Sequence, residues 1–305
     1  MLATVSGLMP ILATPFTRTG ELDRWGLRRV VEFELSAGVS GVAVFGFASE
    51  GFTLTSAERQ IILADVRDVA AGAVSIVAGI SGTSTVTAIE QALQAEEGGA
   101  DVLMAIPPFM VKPPAGTLSE FYGELASATR LPIMVQDAPG MTGVAMAPAV
   151  IAELSRIEHV DSVKIEAPPT PPKIEAVVDL TGGSNFAVFG GQNAQFVLEE
   201  YERGSVGTMP ACEFSDELAT VLSLWNAGRG DDARFAFRRL LPLIVFGLQP
   251  GLAWAVHKEV LVARGLIESA RVRYPSGRID AGTRRALATI LDELSLPVLR
   301  RTVQA

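Results

Sequence analysis

The chain has 305 residues, 49% hydrophobic and 19% charged, with a formal net charge of -9. That length suits two ordinary domains or one large α/β barrel with an extension, and the composition allows a sizeable core. The acidic balance without a basic run argues against nucleic acid, the single Cys212 excludes an internal disulfide framework and fits a reducing compartment, and His159 and His257 without HExxH or CxxC spacing disfavour a metal centre.

Residues 1–16 are apolar, yet they lack a basic start and contain Pro10 and Pro15, so they do not read as a signal peptide. No stretch approaches the roughly 18 apolar residues of a membrane span. The expectation is a soluble, cytoplasmic protein.

An apolar run predicts a first strand over 7–15, and Leu27, Val30, Val31 and Phe33 at helical spacing predict a helix over 23–37 that stops at Gly38. A strand over 39–46 follows, then a helix over 55–71 that opens with Thr55 as cap and Glu58 three residues on. Further strands are predicted over 74–80, 101–106, 131–137, 160–166, 186–190 and 204–209, with helices over 84–98, 117–129, 147–155 and 194–202. This alternation is the pattern of an α/β fold of the (β/α)8 TIM-barrel type. A doubly wound sheet competes, but the first turn lacks G-x-G-x-x-G. Beyond residue 212 the strand signals stop, and helices are predicted over 216–227, 231–246, 251–263 and 281–293. The expected organisation is a barrel over 1–212 and a C-terminal helical extension over 213–305.

Asp161-Ser162-Val163-Lys164-Ile165-Glu166-Ala167 places a single lysine in a predicted strand. Val163 and Ile165 face one way, and Ser162, Lys164 and Glu166 the other. In a barrel the apolar face meets the helices and the polar face enters the lumen, near the strand end where such folds hold their chemistry. Dry surroundings disfavour a charged amine, and a neutral amine attacks a carbonyl to form a Schiff base. On this segment alone, a surface lysine paired with Glu166 on an edge strand fits at least as well.

Four motifs stand in order along the chain: Thr14-Pro15-Phe16; Gly46-Phe47-Ala48-Ser49-Glu50 with Thr53-Leu54; Pro107-Pro108-Phe109 with Lys112-Pro113; and Val163-Lys164-Ile165-Glu166. In these the chain resembles the dihydrodipicolinate synthase and N-acetylneuraminate lyase superfamily, Schiff-base aldolases and dehydratases on a barrel with a helical extension, usually homotetramers. The resemblance runs along nearly the whole chain and implies that Lys164 is the Schiff-base lysine. It also implies a small 2-keto acid as substrate, no metal, no cofactor beyond the covalent lysine link, no nucleic-acid or membrane partner, and assembly into a tetramer or dimer.

The departures are as informative. Within Leu131-Pro132-Ile133-Met134-Val135-Gln136-Asp137-Ala138-Pro139, Gln136 occupies the place of the family's relay tyrosine; Met110 replaces the second tyrosine and Phe47 the relay threonine. The hydroxyl relay is missing, and an amide neither gives nor takes a proton by ionising. Met141 stands where the synthase carries an arginine for its second substrate, which argues against synthase activity. Phe47-Ala48-Ser49-Glu50, Gln136-Asp137-Ala138-Pro139 and Lys164-Ile165-Glu166 resemble the L-2-keto-3-deoxyarabonate dehydratase branch.

That resemblance implies dehydration of a 2-keto-3-deoxy sugar acid, with Lys164, Glu166 and Gln136 as catalytic residues. Glu166 is expected either to move protons or only to position Lys164 as an ion pair. The Ser49 hydroxyl and the backbone N–H groups from Ala48 to Glu50 are expected to hold the substrate carboxylate, with the Glu50 side chain bonded within its own loop. Gly190 and Gly191 are read as room for the substrate tail, Gln192 or Asn193 as contacts to its hydroxyls, and Met209 as pocket wall. Alternation turns Asp137 away from the Gln136 face, and Cys212 reads as a small buried hydrophobe. A pyruvate-dependent aldolase or synthase and a non-catalytic 2-keto acid binding paralogue remain as alternatives.

Overall fold

The computed structural model describes residues 5–114, 116–182 and 185–299. Eight parallel strands, β1 (Gly7–Leu8), β2 (Gly41–Val44), β3 (Ser75–Ile80), β4 (Val102–Ala105), β5 (Ile133–Asp137), β6 (Val160–Ile165), β7 (Ala187–Gly190) and β8 (Gly207–Thr208), pair in the order β1-β8-β7-β6-β5-β4-β3-β2. The ring closes at Ile11, which bridges Ala43 on one side and Ala211 on the other. Pro10 has no N–H for a ladder. Leu12 N–H to Ala43 O and Ala43 N–H to Pro10 O, each 2.8 Å, join β2 to the stretch after β1. This is the expected (β/α)8 barrel.

Strand alternation divides the core in two. Met9, Ile11, Ala43, Val77, Met104, Met134, Phe189 and Met209 fill the lumen. Val42, Val44, Leu103, Val135, Val163, Ile165 and Val188 face the surrounding helices. Burial of a Val or Ile side chain stabilises by about 1.5–3 kcal/mol. A one-residue slip of β6 would turn Val163 and Ile165 into the lumen and Lys164 into the helix layer, so the apolar pair fixes where the lysine points.

The barrel helices are α1 (Arg24–Ala37), α2 (Ser56–Ala70), α3 (Thr85–Glu97), α4 (Leu118–Ala128), the short α5 (Pro139–Thr142), α6 (Pro148–Leu154), α7 (Thr170–Thr181) and α8 (Val197–Glu202). The predicted capping box is present: Glu58 N–H donates to Thr55 Oγ1 at 3.2 Å and Thr55 N–H to Glu58 Oε2 at 3.0 Å. Sequence reading gave neither α5 nor α7. Pro168-Pro169-Thr170-Pro171-Pro172 reads as a break, yet proline suits a helix's first turn, where no intrahelical N–H bond is lost.

Four helices follow the barrel where they were predicted: α9 (Ser215–Asn226), α10 (Gly230–Phe246), α11 (Ala253–Ala263) and α12 (Ala281–Leu294). α9 packs against α1 and α10, and α12 against α10. Among the described residues no helix is long and apolar enough to cross a membrane.

Candidate active site

Lys164 projects from β6 into the lumen and is 3% exposed. Its register partners are Gln136 on β5 and Phe189 on β7, so the three side chains share one level of the barrel. Glu166 lies just past β6, but its N–H still bonds Asp137 O at 2.9 Å, which continues the strand's course and keeps positions 164 and 166 on one face. The result is a bridged carboxylate. Glu166 Oε1 stands 3.1 Å from Lys164 Nζ, and Oε2 accepts from Gln136 Nε2 at 2.6 Å.

Asp137, one residue after Gln136, points outward as alternation requires and pairs with Lys173 of α7. Burial pushes its carboxyl above the usual range despite that lysine. Cys212 is fully buried and accepts from Ala13 N–H, as a small core residue. Met110, at one relay position, is 74% exposed.

The turn after β2 departs from expectation. Ser49 N–H donates to Gly46 O at 3.1 Å and Glu50 N–H to Phe47 O at 2.9 Å, so these two groups are occupied within the turn. The Ala48 N–H has no acceptor among the described residues, and Ser49 Oγ is buried without a partner. Two donors therefore remain where three backbone groups and a hydroxyl were expected. Thr14 Oγ1 donates to Ser49 O at 2.6 Å, which explains the Thr-Pro-Phe motif locally.

Glu50, grouped on sequence with the substrate-binding residues and expected to bond its own loop, instead binds the extension. Its carboxylate pairs with Lys258 of α11 and accepts from Arg273 N–H at 2.9 Å and Ser276 Oγ at 3.4 Å. Burial lowers Lys258 to about 8, against the raising effect of Glu50. Phe16 lies between two cations, 4.2 Å from Lys258 Nζ and 4.1 Å from the Arg273 guanidinium carbon. Trp254 Nε1 donates to Phe47 O at 2.6 Å. No sequence motif marked these contacts, because each joins residues more than 200 positions apart.

The loop after β7 requires a second correction. Gly190 and Gly191 do leave room, but protein side chains fill it: a Cβ would come 1.8 Å from Glu200 Oε2 at Gly190 and 2.4 Å from Glu166 Cγ at Gly191. Gln192 Nε2 donates to Glu166 O at 2.6 Å. Gln192, Asn193 and Ala194 all adopt left-handed φ, between 48° and 61°, in a single tight turn. Asn193 holds it by accepting from Ala211 N–H at 2.9 Å and donating to Ile244 O at 3.4 Å.

A cavity of about 320 Å³ opens over Lys164 and Glu166, with Phe47, Ala48, Gln192 and Met209 among its barrel walls. The extension supplies the rest through Gln249, Trp254 and His257, none of which sequence reading had placed at the site. A second cavity of about 330 Å³ lies across Phe47 and takes in Gln136.

The chain matches the Dihydrodipicolinate synthetase family over residues 4–294. It is 33% identical over 299 residues to an L-2-keto-3-deoxyarabonate dehydratase of Azospirillum brasilense, with 96% of each chain covered. It is 29% identical over 292 residues to a 4-hydroxy-tetrahydrodipicolinate synthase of Streptomyces coelicolor, covering 93% of this chain and 92% of that one. The crystal structure of a dihydrodipicolinate synthase from Rhodopseudomonas palustris superposes with a TM-score of 0.89 at 27% identity, over 95% of this chain and 98% of that one. With the family matched over nearly its whole length and the same barrel superposing along it, the chain belongs to the dihydrodipicolinate synthetase family, a family of lyases.

Proposed function

We propose that this chain is a Schiff-base lyase that dehydrates a 2-keto-3-deoxy sugar acid of the L-2-keto-3-deoxyarabonate type. The carrying observation is the Glu166 carboxylate held between Lys164 and Gln136 while the relay positions contain Phe47, Met110 and Gln136, none with a hydroxyl. The relative from Azospirillum brasilense, matched along both chains, supports the same direction.

In this reading the substrate carboxylate docks on the Ala48 N–H and gives the buried Ser49 hydroxyl the partner it lacks. Lys164 Nζ attacks the C2 ketone, and loss of water leaves an iminium that draws electron density from C3. Glu166 takes the C3 proton as general base. The enamine expels the C4 hydroxyl, which leaves as water on taking from Glu166 the proton removed from C3, and hydrolysis of the conjugated iminium then frees an unsaturated 2-keto acid and restores the lysine. Gln136 aims the carboxylate but transfers no proton. Lys164 is the only electrophile-forming group the scheme needs, with no cofactor.

The test is borohydride trapping with peptide mass spectrometry, using pyruvate and L-2-keto-3-deoxyarabonate in parallel. The expected result is an adduct on Lys164 with both, and conversion of the sugar acid to a dehydrated keto acid. Lys164→Ala is expected to abolish the adduct, and Glu166→Gln to slow turnover about 10²–10⁴-fold, far more than it slows adduct formation. An adduct with pyruvate and no dehydration of the sugar acid favours a pyruvate-dependent aldolase or synthase; the Streptomyces coelicolor relative is named a synthase. No adduct on Lys164 with either compound rejects the mechanism.

A further inference from the structure

The extension places one imidazole in the cavity wall. His257 of α11 is 5% exposed, lines the same space as Lys164 and Glu166, and meets Glu213 Oε1 at 2.6 Å through Nδ1. Glu213 follows β8, is fully buried, and has its carbonyl oxygen fixed by Arg264 Nη1 at 2.8 Å. A carboxylate only accepts, so Nδ1 carries a proton, and Nε2 is an acceptor whenever the ring is neutral. No described residue hydrogen-bonds Nε2, and it is not among the side-chain atoms sealed from solvent. The ring as a whole lines the cavity.

The other polar side chains on that wall are already anchored. Gln192 donates to Glu166 O, Asn193 is fixed at both ends of its amide, and Gln249 donates to Phe246 O at 2.9 Å. Much of the remaining lining is apolar, with Ile11, Phe47, Met209, Pro210 and Leu248. A ring acceptor held in one tautomer beside such a lining suits a hydroxyl that has left water.

We infer that His257, oriented by Glu213, reads the hydroxyl-bearing end of the substrate by accepting a hydrogen bond from a hydroxyl beyond C3. This rests on the Schiff-base reading, which fixes C2 at Lys164 and leaves the rest of the chain to run along the cavity. His257 then selects sugar-derived 2-keto acids over plain ones, and Glu213 is a positioning residue.

The experiment compares borohydride capture of L-2-keto-3-deoxyarabonate with that of 2-oxopentanoate, which has the same chain length and no hydroxyls. The readout is the ratio of half-saturating concentrations. His257→Asn keeps a partner for Glu213 but removes Nε2, and is expected to lower the preference for the hydroxylated acid about tenfold. His257→Gln, whose amide reaches toward the place of Nε2, is expected to recover part of it. Glu213→Ala is expected to lose the preference, and Glu213→Gln, still an acceptor for Nδ1–H, to keep it. Wild-type protein that captures both acids alike, or His257→Asn with the wild-type ratio, overturns the inference. Glu213→Ala with the wild-type ratio overturns the positioning role. If wild type captures neither acid nor pyruvate, the Schiff-base reading has failed and the inference falls with it; capture of all three without preference is a failure of the inference alone.

Discussion

Gly191 directs Glu166 by leaving a space. A Cβ there would press on Glu166 Cγ at 2.4 Å, and the flexible carboxylate would have to swing away from Lys164 and Gln136. Gly191→Ala is therefore expected to cut turnover about 10²-fold or more, toward the level of Glu166→Gln, with little change in melting temperature. Steady-state kinetics beside thermal melts check this. Glu200 makes a second prediction at this scale. Burial raises its carboxyl to about 7 from 4.5, although Thr170 Oγ1 donates to it. The folded value lies above the unfolded one, so the stability it contributes is complete below pH 4.5 and is lost as pH rises through 7. Between pH 4.5 and pH 8, wild type should lose on the order of 3 kcal/mol more than Glu200→Gln, as read by chemical denaturation at each pH. Lys164 and the outward turn of Asp137 were legible because strand alternation is a local rule. What occupies the space at Gly190 and Gly191 was not, because it depends on which elements lie beside β7.

Among the elements, α2 shows how far local sequence reaches. Its capping box was legible from Thr55 and Glu58, four adjacent positions with one geometry. The second partner of Glu58 was not: Arg273 of the extension, 215 residues away in sequence, donates Nη2 to Oε1 at 2.6 Å and Nη1 to Oε2 at 2.9 Å. These bonds, foremost among its interactions, hold the Glu58 carboxyl near 2 instead of 4.5. With the folded value depressed, its stability is present above pH 4.5 and lost as pH falls through 2. The pair is partly open to solvent, so the contribution is discounted to about 1 kcal/mol. Glu58→Gln should flatten the acid limb of the stability curve by that amount, measured between pH 5 and pH 2. α7 escaped sequence reading for the opposite reason, since its prolines signal a break in isolation and a helix start only when the following turn packs on the barrel.

In the whole molecule, the barrel was legible from its alternation and the four later helices from their periodicity. The extension's role as wall of the cavity was not, for nothing local in residues 247–257 announces which face meets the lumen. Lys258, the residue directly after that segment, is the buried cation opposite Glu50. Lys258→Met leaves Glu50 charged and buried without its ion-pair partner, and is expected to destabilise the protein by about 3–5 kcal/mol in denaturant unfolding.

The seam at Ile11 bears on time as well as shape. Strands such as β5 and β6 run side by side over several residues, whereas β1 and β2 are joined through Ile11 and the few bonds around it. Partial opening starts where pairing is thin, at a free energy below that of global unfolding. Amide deuterium uptake at Leu12 and Ala43 should therefore run ahead of uptake at Val163 and Lys164. The Phe47 to Glu50 turn follows β2, so each opening would loosen the proposed carboxylate anchor while Lys164 stays in register. On the proposed reading, such a molecule would pass through intervals in which it is folded and chemically intact but unable to hold its substrate.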